Sequence, residues 1–136
     1  MKNYKLYLKK AISTVLKSLS YPLKDFNLIQ SKNIEFGDFS SNIALLLSSK
    51  LKKNPMDIGN ILVNKLNNLS LDHVLDITMT KPGFLNFKIS NVLFQNKIND
   101  ILIKNDDYGK GANGIGKNAN VEFVSANPTG PLTIGH

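Results

Sequence analysis

The residues best equipped for chemistry lie at the end of the chain, in the string VEFVSANPTGPLTIGH over residues 121–136. Glu122 is the sole carboxylate between Asp107 and the end. It stands among Val121, Phe123 and Val124, where an unpaired charge is costly, so it wants a cation unless strand alternation turns it outward at a sheet edge. Ser125, and Asn127 ahead of Pro128, either line a pocket or serve a turn's own backbone. A helix beginning near Thr133 would aim free N–H groups and its positive dipole end at an anion, and Gly135 would let a phosphate or adenine come close to the backbone. A buried-type strand over Val121–Val124 that ends in small and turn-forming residues delivers such groups to the carboxyl edge of a parallel sheet, where ligands of open α/β folds bind. The expected chemistry is nucleotide binding.

What precedes this segment must be a separate, closed unit. Over residues 2–20, Tyr4, Leu8, Ala11, Ile12, Val15, Leu16 and Leu19 fall on one helical stripe, with Lys5, Lys9, Lys10 and Lys17 mostly off it. The Tyr21-Pro22 pair ends that helix, and FNLIQ from Phe26 to Gln30 has the pattern of a short strand. In EFGDFSSN, Gly37 bends the chain and Asp38 or Ser40 is expected to cap a helix with Ile43, Ala44, Leu47 and Leu51 inward. Asn54 then stands as cap and Pro55 as first residue of a helix carrying Ile58, Ile61, Leu62, Leu66 and Leu69. HVLDITMT (73–80), the turn KPGF and the strand FLNFKIS predict an antiparallel hairpin. Within it Phe84 and Phe87 point to opposite faces, so one of them is core. Ser90 or Asn91 opens a last helix with Val92, Leu93, Ile98, Ile101 and Leu102 on one face. The expected organisation is an α+β unit over residues 1–104, a Gly/Asn-rich linker over 105–118, and a new strand and loop over 119–136.

Composition narrows the function. The 136 residues suffice for one compact domain and a tail, and no run of about eighteen apolar residues could span a bilayer. The start MKNYKLYLKK lacks the order of a secretory signal, which predicts a cytoplasmic protein. With no cysteine and two distant histidines, His73 and His136, neither disulfides nor a metal site built from protein ligands is expected. The net charge is +7 and all 17 basic residues are lysines, point charges that suit a phosphate backbone but lack a planar fork for base edges. The same bias also arises in a chain rich in lysine, asparagine and isoleucine for reasons of genome composition. Two glycine motifs in the linker mislead. GKGANG at Gly109–Gly114 fits a dinucleotide pattern but precedes the strand it should follow, and the near P-loop at Gly111–Asn118 has Asn118 where a magnesium-binding hydroxyl belongs.

VEFVSANPTGPL-xxGH resembles the signature of the class I arginyl-tRNA synthetases, closed by their HIGH-type motif. EFGDFSSNIALLLSSKLKKNP and KPGFLNFKIS are similar to that family's N-terminal additional domain, so the resemblance covers nearly the whole chain. It implies a small antiparallel sheet covered by helices, followed by the first strand of a Rossmann-type catalytic domain and truncated there. It also implies a parent enzyme that activates arginine with ATP and Mg2+ and transfers it to tRNA-Arg without a prosthetic group. In that reaction the arginine carboxylate attacks the α-phosphorus, and preorganised donors stabilise the growing charge. His136 matches the motif's second histidine, which donates to ATP, with Gly135 beside it. Thr133 takes the place where the motif more often has its first histidine, and its hydroxyl can bond a phosphate but cannot carry positive charge. Glu122 would bind the arginine guanidinium, with Asn127 and Ser125 holding the rest of that substrate. Phe84 and Asn86 match positions that stack on and hydrogen-bond an extruded D-loop base, while Lys81 and Lys88 attract phosphate. The resemblance further implies a monomer, no membrane, and no aminoacylation by these residues alone. A stand-alone RNA-binding module and another HIGH-type nucleotidyl enzyme remain the alternatives.

Overall fold

The computed structural model describes residues 2–22, 25–31, 33–122, 124–126 and 129–134. Apolar periodicity dictates the elements. Helix α1 (Lys2–Ser18) buries the expected stripe, with Leu8, Ile12 and Leu16 fully enclosed. Strand β1 (Leu28–Gln30) leads through a 3-10 turn (Ile34–Phe36) to β2 (Phe39–Ser41), α2 (Ile43–Leu51) and α3 (Pro55–Asn67). Strands β3 (Val74–Thr80) and β4 (Phe84–Ile89) and helix α4 (Asn91–Lys104) follow. The α3 cap is the one that the sequence announces: Asn54 Oδ1 accepts from Met56 N at 2.8 Å, and Pro55 occupies the first turn, where its missing N–H costs nothing.

All four strands pair antiparallel in the order β1-β2-β4-β3. One face of the sheet presents Leu28, Phe39, Ile77, Leu85, Phe87 and Ile89, which join the buried residues of α1, α2 and α3 in one apolar core. The expectation of a small antiparallel sheet covered by helices is met. The loose alternation of HVLDITMT has a structural cause, an irregularity between Val74 and Asp76 that leaves Leu75 outside the ladder and 66% exposed. At the far end of α1, the Tyr4 hydroxyl donates to the Asp72 carbonyl while Asp72 N donates to the Tyr7 hydroxyl at 2.9 Å, tying the helix to the loop before β3. Burial first, and then the neighbouring Tyr7 and Asp72, push the Tyr4 hydroxyl up to about 12.

Three expectations are corrected. Asp38 and Ser40 do not cap α2: Ser40 lies in β2, and Asn42 precedes the helix without a side-chain cap bond, leaving Ser41 Oγ to accept from Ile43 N at 3.3 Å. Asp38 caps the sheet instead, its Oδ2 accepting from Ile89 N at 2.7 Å. The apolar stripe of α4 is not core, since Val92, Ile98, Ile101 and Leu102 are all exposed and only Leu93 and Phe94 pack on the core from this helix. The strand expected over Val121–Val124 is not formed among the described residues 121, 122 and 124, and Phe123 lies outside the described residues. A parallel strand needs flanking strands to satisfy its backbone, and no strand follows β4 among the described residues.

The chain folds as two compact units, residues 1–100 and 101–136. The first holds the sheet and its core. The second holds the end of α4 and two 3-10 turns, Asn105–Asp107 and Ala112–Gly114. Around the linker glycines Gly109, Gly111, Gly114 and Gly116 an added Cβ would meet nothing, and no strand leads into them, so neither glycine motif forms a phosphate cradle.

Candidate nucleic-acid interface

Strand alternation puts the core and the candidate site on opposite faces of the same strand. In β4, Leu85, Phe87 and Ile89 point to the helices, so Phe84, Asn86 and Lys88 point away. This decides between the two phenylalanines: Phe87 is core and Phe84 is half-buried on the open face. The register aligns Ser40 and Thr78 on either side of Asn86, sets Ile29 beside Ser40, and places Thr80 opposite Phe84.

Asn86 lies on the face away from the helices and is still only 2% exposed. The reason is that the face is walled. The loop after β1 rises on one side and the β3–β4 turn on the other, framing a cavity of about 380 Å³ that is open to solvent. Ile29, Ser31 and Phe36 line one wall and Thr80, Lys81 and Phe84 the other, with Asn86 and Ser40 as the floor. The first wall is held by Asn33, whose Oδ1 accepts from Glu35 N at 3.0 Å, and by Gly37 at φ 77°. A Cβ on Gly37 would sit 2.6 Å from the Phe87 carbonyl oxygen, so only glycine lets the loop turn down against β4. The second wall turns at Gly83, whose N–H donates to Thr80 O at 2.9 Å.

The polar groups are few and specific. Asn86 Nδ2 donates to Thr80 Oγ1 at 2.9 Å and to the Phe84 carbonyl at 3.5 Å. The Ser31 hydroxyl is buried without a hydrogen-bond partner among the described residues. Lys81 is exposed at the rim, whereas Lys88 lies 3.9 Å from Asp38 Oδ2 and so is partly committed within the fold. An aromatic face, an apolar wall and a buried amide suit a flat heterocycle with hydrogen-bonding edges. The four residues singled out from the sequence here, Lys81, Phe84, Asn86 and Lys88, do share one face. Sequence reasoning missed Ile29, Phe36, Ser40 and Thr80. Thr80 was within reach, because strand periodicity puts it on the Thr78 face, while Phe36 sits in an irregular loop that no periodicity describes.

The candidate arginine and nucleotide residues fall in the second unit. The Ser125 hydroxyl donates to Glu122 Oε1, so these two are brought together, both on exposed residues. Thr133 is exposed and not helical, so the helix start expected there is not formed among the described residues. Asn127, Gly135 and His136 lie outside the described residues. Among the described residues no three His, Cys, Asp or Glu side chains gather as a metal site, and no helix is long and apolar enough to cross a membrane.

Comparison with known proteins bears on both units. A family model described as the arginyl tRNA synthetase N terminal domain matches residues 6–89, which includes every wall of the cavity. An arginine–tRNA ligase of Pelodictyon phaeoclathratiforme is 37% identical over 132 residues, 96% of this chain and 24% of that protein. One from Ehrlichia ruminantium strain Gardel is 47% identical over 104 residues, 76% of this chain and 18% of the relative. The chain thus spans about a quarter or less of the length of these relatives. In fold, 68% of the chain superposes on 15% of the Thermus thermophilus arginyl-tRNA synthetase with a TM-score of 0.60 at 22% identity.

Proposed function

Because this chain belongs to the arginyl-tRNA synthetase N-terminal domain family, we propose that its open sheet face is a tRNA-reading surface whose cavity takes one extruded base. The observation that carries this reading is the cavity of about 380 Å³ with Phe84 on its wall and Asn86 on its floor. A base stacked on Phe84 leaves water for an aromatic face and meets the Asn86 amide at its edge. Lys81 at the rim and the other exposed lysines add phosphate attraction that is blind to sequence and weakened by salt. The partner that fits the family is tRNA-Arg, and the base is one of its D-loop.

The wider activity follows from the same family. Residues 1–104 act as the tRNA-binding domain, 105–118 as linker, and 119–136 as the beginning of the catalytic domain of an arginine–tRNA ligase, a cytoplasmic and monomeric enzyme. Its substrates are arginine, ATP with Mg2+, and tRNA-Arg. Glu122 receives the guanidinium. Ser125, bonded to Glu122 Oε1, steadies the carboxylate for that bidentate contact, and Asn127 holds the other end of the amino acid. His136 and Thr133 donate to the triphosphate, with Gly135 admitting it against the backbone.

The test is fluorescence anisotropy of the 136-residue chain with tRNA-Arg and an unrelated tRNA at two salt concentrations. Tighter binding of tRNA-Arg that survives added salt is expected. Phe84→Ala should weaken tRNA-Arg binding by about five- to 150-fold, the worth of one base–aromatic stack of ~1–3 kcal/mol, while leaving the unrelated tRNA unaffected. Binding that ignores tRNA identity and the Phe84 change would leave only a basic surface and refute the proposal.

A further inference from the structure

We infer that the outward side of α1 is a second RNA-binding surface, which takes the phosphodiester backbone of a duplex irrespective of its sequence. The inward side of α1 packs on the sheet face that carries Leu85 and Phe87, and the cavity opens on the reverse face. The two surfaces therefore lie across the core from one another, and this one does not depend on the base-reading function of the cavity.

The positive charge is not spread along the chain. Residues 1–24 hold six lysines, Lys2, Lys5, Lys9, Lys10, Lys17 and Lys24, and no acidic residue. The other eleven lysines are nearly offset by the ten Asp and Glu, all of which come later, so six of the seven net charges belong to α1 and the few residues after it. A genome bias toward lysine raises the count everywhere but does not clear one helix of acids, whereas a polyanionic partner accounts for both. The helix itself gains little from the arrangement. Its first turn, where the dipole favours acids, has none and carries Lys5, and Lys5 and Lys9 are like charges at a spacing that repels. Lys17 in the last turn is the one placed where the dipole favours it.

The fold leaves these charges available. Of the described α1 lysines only Lys9 has an ion pair, with Asp25 at 3.5 Å, and its ammonium also lies 5.1 Å from the centre of the Phe26 ring. Lys10 and Lys17 are exposed and sit about two turns, or ~10 Å, apart on one side of the helix. Leu8, Ile12 and Leu16 on the other side are fully buried. Duplex RNA fits this side better than a lipid surface does. An interfacial helix lays an apolar face on the membrane, and α1 spends that face on the core; among the described residues Leu6, 54% exposed, is its one large hydrophobe left outside. Lysines are mobile point charges without a planar fork for base edges, so they meet the backbone and leave the sequence unread.

The experiment measures binding of the 136-residue chain to a blunt-ended RNA duplex without loops or bulges, by fluorescence anisotropy across a salt series. Each phosphate contact contributes roughly 0.7–0.9 to the slope of log Kd against log salt. Replacing Lys5, Lys10 and Lys17 together by Gln should therefore lower the slope by about 2–3, and the pair Lys10→Gln and Lys17→Gln, both at exposed positions, by about two thirds of that. Glutamine keeps the helix propensity, and far-UV circular dichroism checks that the fold is kept. Replacing Lys104, Lys110 and Lys117 by Gln removes the same charge from the other end of the chain and should leave the slope nearly unchanged. Phe84→Ala, which disables the cavity, should not alter duplex binding, while the α1 variant should weaken tRNA-Arg and an unrelated tRNA alike, so the two surfaces fail in different measurements. A slope that the α1 changes leave as it was, or that the distant changes lower as much, would overturn the inference. So would α1-dependent binding to phosphatidylserine vesicles that is tighter than binding to the duplex.

Discussion

Asp38 is one carboxylate on which the sheet's geometry depends, and removing it gives a quantitative test of the fold. Its Oδ2 accepts from Ile89 N at 2.7 Å, its own N–H donates to Phe87 O at 2.8 Å, and its carbonyl accepts from Ser31 N at 3.0 Å. Asp38→Ala leaves the two backbone bonds possible and deletes only the side-chain one. Ile89 is 1% exposed, so its N–H finds little water to replace the lost oxygen. A hydrogen bond to a charged acceptor is worth about 1.5–3 kcal/mol, and a buried donor left unpaired costs a similar amount. The contact with Lys88 adds little, since that pair is 3.9 Å apart with the lysine side chain 45% exposed. The expected loss is therefore about 2–3 kcal/mol, or roughly 8–20 °C in the melting midpoint of a domain near 100 residues. Asp38→Asn keeps a neutral acceptor and should lose about half as much, while Lys88→Ala should stay within about 0.5 kcal/mol. Urea unfolding followed by far-UV circular dichroism measures all three. If Asp38→Ala unfolds at the same midpoint as the parent chain, the bond to Ile89 does not hold the sheet and the reasoning fails.

Other changes test other joints. Gly37→Ala puts a Cβ 2.6 Å from the Phe87 carbonyl at a φ of 77°, so calorimetry should find a loss exceeding the ~1 kcal/mol of left-handed strain alone. Asn54→Ala removes the α3 cap and should cost about 1 kcal/mol in a denaturant titration. Leu62→Ala empties a fully buried position at the centre of the core, with an expected loss of ~2–5 kcal/mol by the same titration. The Tyr4 hydroxyl is pushed up to about 12 from a usual 10, so the folded state keeps a proton that the unfolded chain gives up. Its contribution is complete below about pH 10 and is lost as pH rises toward about 12. Tyr4→Phe should be less stable than the parent at neutral pH, and the gap should close between about pH 10 and 12; a constant gap would show that the hydroxyl is not held in its neutral form.

Strong local signals in the sequence carry over into the structure. Asn54-Pro55 starts α3 as expected, and the β3–β4 hairpin appears where alternation and KPGF put it. What stayed hidden depends on partners far along the chain. Phe39–Ser41 is too short for periodicity to mark, and its strand character comes from pairing with β1 and β4. Asp38, a good helix cap by type and position, was claimed by Ile89, 51 residues away. For α4 the stripe is real but its partner is not among the surfaces described, since periodicity reports that a face is apolar and not what covers it. In the candidate site, Phe84 and Asn86 were legible because they sit in a regular strand, whereas Ile29 and Phe36 become neighbours of theirs only through tertiary folding.

The core and the cavity are written into β4 with a period of two, which makes register the quantity that function depends on. Leu85, Phe87 and Ile89 face the helices only while Phe84, Asn86 and Lys88 face the opening. A slip of one residue would exchange the two sets, turning an amide and a lysine into the apolar core and Leu85, Phe87 and Ile89 away from it. Strands as short as β1 and β2, three residues each, cannot specify register by hydrophobic pattern alone. The pins are the singular contacts at their ends: Gly37 packed on the Phe87 carbonyl and Asp38 clasping Ile89. Both lie outside the cavity and touch no proposed ligand atom. Even so, a change at either should disturb base selection as well as stability, because the floor of the cavity is the reverse side of the strand they hold.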